Sequence, residues 1–198
     1  MTASIALPAD RRPGERFVVL IRHGEAAAGW DGDVDPGLSD LGRHQAEEAA
    51  GRLAVPPATP LVASPLRRTQ ETAAPIASAL GVTPLVDAAV GEVVAPVASR
   101  ALSARGPWLR SFMAGGWEGA EASLLAWRRG VVAALEAVAV DTVFVTHFVA
   151  INAAVGVATG DDRVVCCRPG YCSSTVLRVG TGGLALVGLP ADAETEVR

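Results

Sequence analysis

The chain contains no lysine, and all 17 of its basic residues are arginine. That absence removes two reaction classes. A Walker-type phosphate loop needs its lysine to reach the phosphates, and Schiff-base chemistry needs a lysine amine. Charge is sparse at 19% of residues, yet 50% of residues are hydrophobic, which sets the chain outside the disordered class. A net charge of −4 lacks the basic footprint that nucleic-acid binding leaves. Cysteine is limited to Cys166, Cys167 and Cys172, an odd number for a disulfide framework and without the paired spacing of a zinc site. They are expected as reduced, mostly buried thiols of a cytoplasmic protein.

The 198 residues are expected to form one domain over 17–190, with short flexible tails at 1–16 and 191–198. The first tail lacks the apolar stretch of a secretory signal. Residues 142–160 carry no charge, but they include His147 and Asn152 and divide into a strand and a helix. They are expected as a buried βα unit rather than a membrane span.

Apolar residues Phe17-Val18-Val19-Leu20-Ile21 read as a buried strand. Residues 29–37 form a loop, and Ser39 caps a helix with the stripe Leu41, Gln45, Ala49 and Leu53, ended by Pro56-Pro57. A short strand at 60–63 precedes a helix that Ser64 is expected to cap, with Pro65 in its first turn. Pro75 should bend or interrupt that helix and Gly81 should end it. A third strand is expected at 83–86. Segment 91–116 mixes prolines and glycines with Arg100, Arg105, Arg110, Trp108 and Phe112. It is expected as a flap or short cap over the ligand crevice, with a surface loop of no function as the alternative. A helix at about 118–139, a strand at 142–145, an apolar helix at 148–159 and a final hairpin of 174–179 with 184–189 complete the order. The predicted architecture is an α/β three-layer sandwich: a mainly parallel sheet, helices on both faces and an antiparallel edge.

Three strand ends carry polar groups. The first gives Arg22 and His23, the second leads into Ser64, Arg67 and Arg68, and the fourth gives His147. Carboxyl ends of parallel strands point the same way, so these groups can converge. Arginine forks match phosphate oxygens and stay charged. A neutral imidazole can attack phosphorus to form a phosphoenzyme, and fixed cations stabilise the transferring group without a metal or other cofactor. Plainer readings exist for each. Arg-His-Gly arises by chance on the order of once in a hundred such chains. His147 can be a hydrogen-bonded core histidine, one of Arg67 and Arg68 a solvated helix residue, and Ser64 a cap. A serine nucleophile elbow needs glycines where Val62 and Leu66 stand. His44 lies in the polar part of a helix and receives no role. No His-x-x-x-His or similar spacing supports a metal.

Arg22-His23-Gly24-Glu25 is joined by Leu38-Ser39-Asp40-Leu41-Gly42 with Gln45-Ala46, by Ser64-Pro65-Leu66-Arg67-Arg68-Thr69-Gln70-Glu71-Thr72-Ala73, and by His147 at a strand end. Together they resemble the histidine phosphatase superfamily, phosphoglycerate mutase-like branch, over about residues 17–179. The resemblance implies that His23 is the phosphorylated nucleophile and that Arg22, Arg68 and His147 grip the phosphoryl group. It selects Arg68 over Arg67 as the arginine four residues after the serine. It also implies a carboxyl general acid, expected at Glu92 in Val90-Gly91-Glu92, with Glu118 in Trp117-Glu118-Gly119 as the alternative. Phe148 stands where the family commonly has glycine and should narrow the pocket. The expected activity is metal-independent hydrolysis of a small phosphorylated metabolite, with no nucleic-acid or membrane partner. The alternatives are a mutase and an inactive phospholigand-binding module.

Overall fold

In the computed structural model, which describes residues 5–8, 11–30, 32–99 and 101–189, strands and helices alternate. They run β1 (Ile5–Ala6), β2 (Arg16–Arg22), α1 (Asp40–Arg52), β3 (Leu53–Ala54), β4 (Leu61–Ala63), α2 (Arg67–Leu80) and β5 (Leu85–Val86). Then follow α3 (Leu102–Met113), α4 (Ala122–Glu136), β6 (Thr142–Thr146), α5 (Phe148–Thr159), β7 (Ser174–Gly180) and β8 (Gly183–Gly188). One six-stranded sheet has the order β5-β4-β6-β2-β7-β8. Its first four strands are parallel, while β7 and β8 form the expected antiparallel edge.

Side chains alternate across a strand, and that alternation makes the layers. Val18 and Leu20 of β2 join Phe144 and Leu177 under Val131 and Leu135 of α4 and Ile151 and Val155 of α5. Phe17, Val19 and Ile21 join Leu61, Val143 and Val145 under Ala73, Ile76 and Leu80 of α2. The central strands β2 and β6 are buried almost throughout, as their uninterrupted apolar runs require. No described helix is long and apolar enough to cross a membrane; residues 142–160 form β6 and α5.

Several local expectations are corrected. Leu41 is 54% exposed, and α1 instead buries Gly42, Ala46 and Ala49. Helix α2 begins at Arg67 without a side-chain cap; the Ser64 hydroxyl instead meets His147 at 2.8 Å and accepts a long 3.4 Å bond from Leu66 N–H. Pro75 lies inside α2 without ending it. The burial of Ala73, Ile76 and Ala77 around it offsets the lost backbone bond and ring clash, which cost about 3 kcal/mol. Segment 91–116 is not irregular throughout, since α3 fills its second half. The helix expected at 118–139 is the shorter α4. Within the expected N-terminal tail, Ile5–Ala6 pair in parallel with Leu53–Ala54, and Arg11 meets Asp141 at 2.8 Å. Residues 1–4, 9 and 10, Arg100 and the expected tail at 191–198 lie outside the described residues.

The turn after β2 is clamped by two helices. Gly24 N–H donates to Thr72 Oγ1 of α2 at 3.0 Å, and Glu25 N–H donates to Gln45 Oε1 of α1 at 2.8 Å. Ser39 Oγ accepts from Gly42 N–H as the α1 cap and donates to Glu25 Oε1, both at 2.9 Å. This is possible only because two backbones touch. A Cβ on Gly42 would stand 2.1 Å from the Glu25 carbonyl oxygen, and one on Gly24 would stand 2.5 Å from the Gly42 carbonyl oxygen. Gly42→Ala should therefore force the turn off α1 at a cost of about 2 kcal/mol. Calorimetry should show Tm lowered by roughly 4–8 °C for a chain of this size; an unchanged Tm would contradict the close approach.

Candidate active site

The ends of β2, β4 and β6 and the start of α2 bring five side chains to one point: Arg22, His23, Arg68, Glu92 and His147. Arg22 ends β2, and its guanidinium lies 4.0 Å from the Tyr171 ring centroid and 5.1 Å from that of Phe148. Its Nη1 donates to the Pro169 carbonyl at 2.9 Å. Two aromatic rings and a backbone carbonyl thus hold the guanidinium in place. Arg68, in the first turn of α2, is buried, whereas Arg67 turns outward to Glu71 at 2.6 Å. The geometry therefore separates two arginines that residue type alone left equal.

His23 is held in one tautomer. Its Nδ1 lies 2.7 Å from the Gly24 carbonyl oxygen, an acceptor only, so the hydrogen sits on Nδ1. Its Nε2 carries the ring's one available lone pair, which accepts from Arg68 Nε at 3.2 Å. Burial, then the charges of Arg68 and Arg22, hold the imidazole well below its usual pKa. A buried neutral imidazole with a fixed lone pair is a nucleophile ready at neutral pH.

His147 is fully buried at the start of α5. Its Nδ1 lies 3.2 Å from Arg68 Nη2 and 3.3 Å from Glu92 Oε2, and its Nε2 lies 2.8 Å from Ser64 Oγ. A hydroxyl can donate or accept. With Arg68 donating to Nδ1, the Nε2 hydrogen goes to Ser64. When an oxyanion enters, Ser64 can donate to Nε2, and Nδ1–H then faces the anion. Sequence reasoning treated Ser64 as a cap and missed this contact; its strand-end position opposite a histidine was the available signal. It also missed Tyr171, the chain's one tyrosine, which sits in a loop without periodicity.

Glu92 follows a 3-10 turn at 88–90 and faces the same point, with Oε2 3.3 Å from Arg68 Nη2 and Oε1 accepting from Val93 N–H at 3.1 Å. Burial raises its pKa from the ordinary carboxyl value and outweighs the opposing pull of Arg68. The alternative, Glu118, is not brought to the site. It is exposed, and its backbone N–H donates to Asp162. Trp117 beside it is buried among Phe112 and Trp127.

His23, Glu92 and His147 each offer one donor atom within 4.8 Å of the others, as a metal site would. Two buried guanidiniums share that wall, however, and repel a divalent cation while attracting an anion. The start of α5 adds the positive end of a helix dipole. The arrangement suits a tetrahedral oxyanion. Ser64→Ala would leave His147 Nε2 buried without a partner, a cost of about 1–3 kcal/mol. Calorimetry in chelator should show inorganic phosphate binding weakened roughly tenfold; an unchanged Kd would rule out the hydroxyl's part in anion binding.

The family model of the histidine phosphatase superfamily (branch 1) matches residues 18–191. No curated protein sequence matches the chain. Among solved structures, the fold is similar to a mycobacterial protein called hydrolase 1, at 25% identity and TM-score 0.66, covering 90% of this chain and 100% of that one. It is also similar to mycobacterial glucosyl-3-phosphoglycerate phosphatase, at 24% identity and TM-score 0.65, covering 90% and 100%. An Escherichia coli protein assigned as an alpha-ribazole-5'-P phosphatase is 18% identical, with TM-score 0.65 and coverage of 89% and 96%.

Proposed function

The chain belongs to branch 1 of the histidine phosphatase superfamily, and we propose that it is a metal-independent phosphomonoesterase working through a phosphohistidine at His23. The observation that carries this reading is the pairing of a neutral His23, its Nε2 lone pair 3.2 Å from Arg68 Nε, with a buried carboxyl at the same point.

A phosphomonoester dianion enters between Arg22 and Arg68, and Arg68 Nε leaves His23 Nε2 for a phosphoryl oxygen. The Nε2 lone pair attacks phosphorus while the ester P–O bond breaks. Nδ1–H stays on the Gly24 carbonyl and disperses the positive charge that develops on the ring. Arg22, Arg68 and His147 Nδ1–H stabilise the equatorial oxygens. Protonated Glu92 gives its proton to the leaving alkoxide and, as carboxylate, takes one from the water that cleaves the phosphohistidine. The two guanidiniums supply the charge that a metal supplies elsewhere. A cytoplasmic setting is part of the proposal, from a cysteine content of three, an odd number for a disulfide framework.

In chelator, the chain should release phosphate from an aryl phosphate, and His23→Ala should abolish that release; activity retained in His23→Ala would overturn the mechanism. Glu92→Gln should lower kcat for alkyl phosphates roughly a hundred- to ten-thousand-fold, and much less for 4-nitrophenyl phosphate, whose leaving group needs little protonation. Equal losses on both would move the general acid elsewhere.

The pH dependence follows from the two shifts. Glu92 must be protonated, so kcat falls as pH rises through a pKa above the usual 4.5. His23 must be neutral, and its pKa lies well below the usual 6.5, so the acid limb is displaced downward. The alkaline limb should vanish in Glu92→Gln. Its persistence would identify another group as the acid.

A further inference from the structure

The floor of the crevice is polar, but its outer wall is not. The cavity of about 500 Å³ is enclosed by Ala27, Trp30, Val34, Leu66, Val93 and Phe148 above the phosphoryl site, within the usual 300–1,000 Å³ of small-molecule sites. Among the described residues, the outer wall adds one acid, Asp33, and one base, Arg105. Their opposite signs give no net field for a second anionic group.

Three backbone donors on this wall are already engaged. Ala27 N–H is held by the Gly37 carbonyl at 2.9 Å, Val93 N–H by Glu92 at 3.1 Å and Leu66 N–H by Ser64 Oγ at 3.4 Å. A sugar or sugar acid placed against the apolar residues would lose water from its hydroxyls, with only Asp33 and Arg105 among the described charged side chains of the outer wall to restore hydrogen bonds, which is costly. A hydrocarbon would bury apolar surface on both sides. At the rim, Val34 is 60% and Val94 62% exposed, leaving apolar surface for a ligand to cover.

The wall is also pre-built. Trp30 packs on Trp108 of α3 with ring centroids 6.2 Å apart, and Trp108 stacks on Phe112 at 5.3 Å. Phe112 meets Trp117 edge-on at 5.4 Å, and Trp117 stacks on Trp127 of α4 at 6.2 Å. An unbroken series of rings thus ties one lip of the crevice to the body of the fold. Little ordering is left for a ligand to impose.

We propose that the substrate is a phosphomonoester of an apolar alcohol, an aryl or medium-chain alkyl group, with its hydrocarbon against this wall. The inference rests on the phosphatase reading for its turnover, though not for its binding. Calorimetry on the full chain with n-alkylphosphonates, which cannot be hydrolysed, tests it directly. From ethyl to hexyl, Kd should fall about threefold to fourfold per methylene. Glucose 6-phosphate and 3-phosphoglycerate should bind no more tightly than ethylphosphonate. Val34→Asn, on an exposed loop, should make the alkyl series shallower.

A flat series, tighter binding of the sugar phosphates, or an unchanged slope in Val34→Asn would each overturn the proposal. Hydrolysis of the matching alkyl phosphates separates it from the mechanism. A rising affinity series without His23-dependent phosphate release would support the apolar wall and remove the phosphohistidine; release with a flat affinity series would do the reverse.

Discussion

Two guanidinium groups buried at the end of one sheet, with one carboxyl among the described residues in hydrogen-bond reach of Arg68, create a positive site suited to an anion. Asp35, the next acid, stands 4.0 Å from Arg68 Nη1 and is half-exposed. Burial costs charged groups their solvation, and it acts here in a consistent direction. It holds His23 and His147 well below the usual imidazole pKa and raises the Glu92 carboxyl above its ordinary value, while arginine, with its far higher intrinsic pKa, keeps its charge. One environment thus prepares, from five side chains, what the proposed mechanism asks of its nucleophile, its acid and its cationic cradle.

The rest of the fold holds that cluster in place. Parallel pairing of β2 with β6 sets Arg22 beside Thr146, one residue before His147. Pairing of β4 with β6 brings Ser64 to the same edge. The turn at 23–25 cannot relax, because Thr72, Gln45 and Ser39 take its polar groups and Gly42 admits its backbone. Residues that look like helix caps and helix faces in the sequence are therefore also the supports of the nucleophile.

The sheet, its antiparallel edge and three of the five convergent side chains, Arg22, His23 and His147, were legible from residue pattern, because strand ends in an open α/β sheet share one side. The choice of Arg68 came from the resemblance alone, and only the packing of α2 gives it a physical reason. Ser64 was misread because a serine before Pro65 satisfies every local rule for a cap, and its true partner lies 83 residues away. Pro75 does not interrupt α2 for a related reason: a local propensity yielded to burial on the sheet. Segment 91–116 looked irregular because Gly106 and Pro107 mask a helix stabilised by ring packing with Trp30 and Trp117.

The central claim is a covalent bond between phosphorus and His23 Nε2. Rapid acid-free quenching with a ³²P-labelled phosphomonoester, followed by peptide mapping, tests it most directly. The account predicts a base-stable, acid-labile phosphoramidate on His23 that turns over at the rate of phosphate release and is absent from His23→Ala. An acid-stable ester on Ser64, or phosphate release with no labelled protein in the burst, would contradict it.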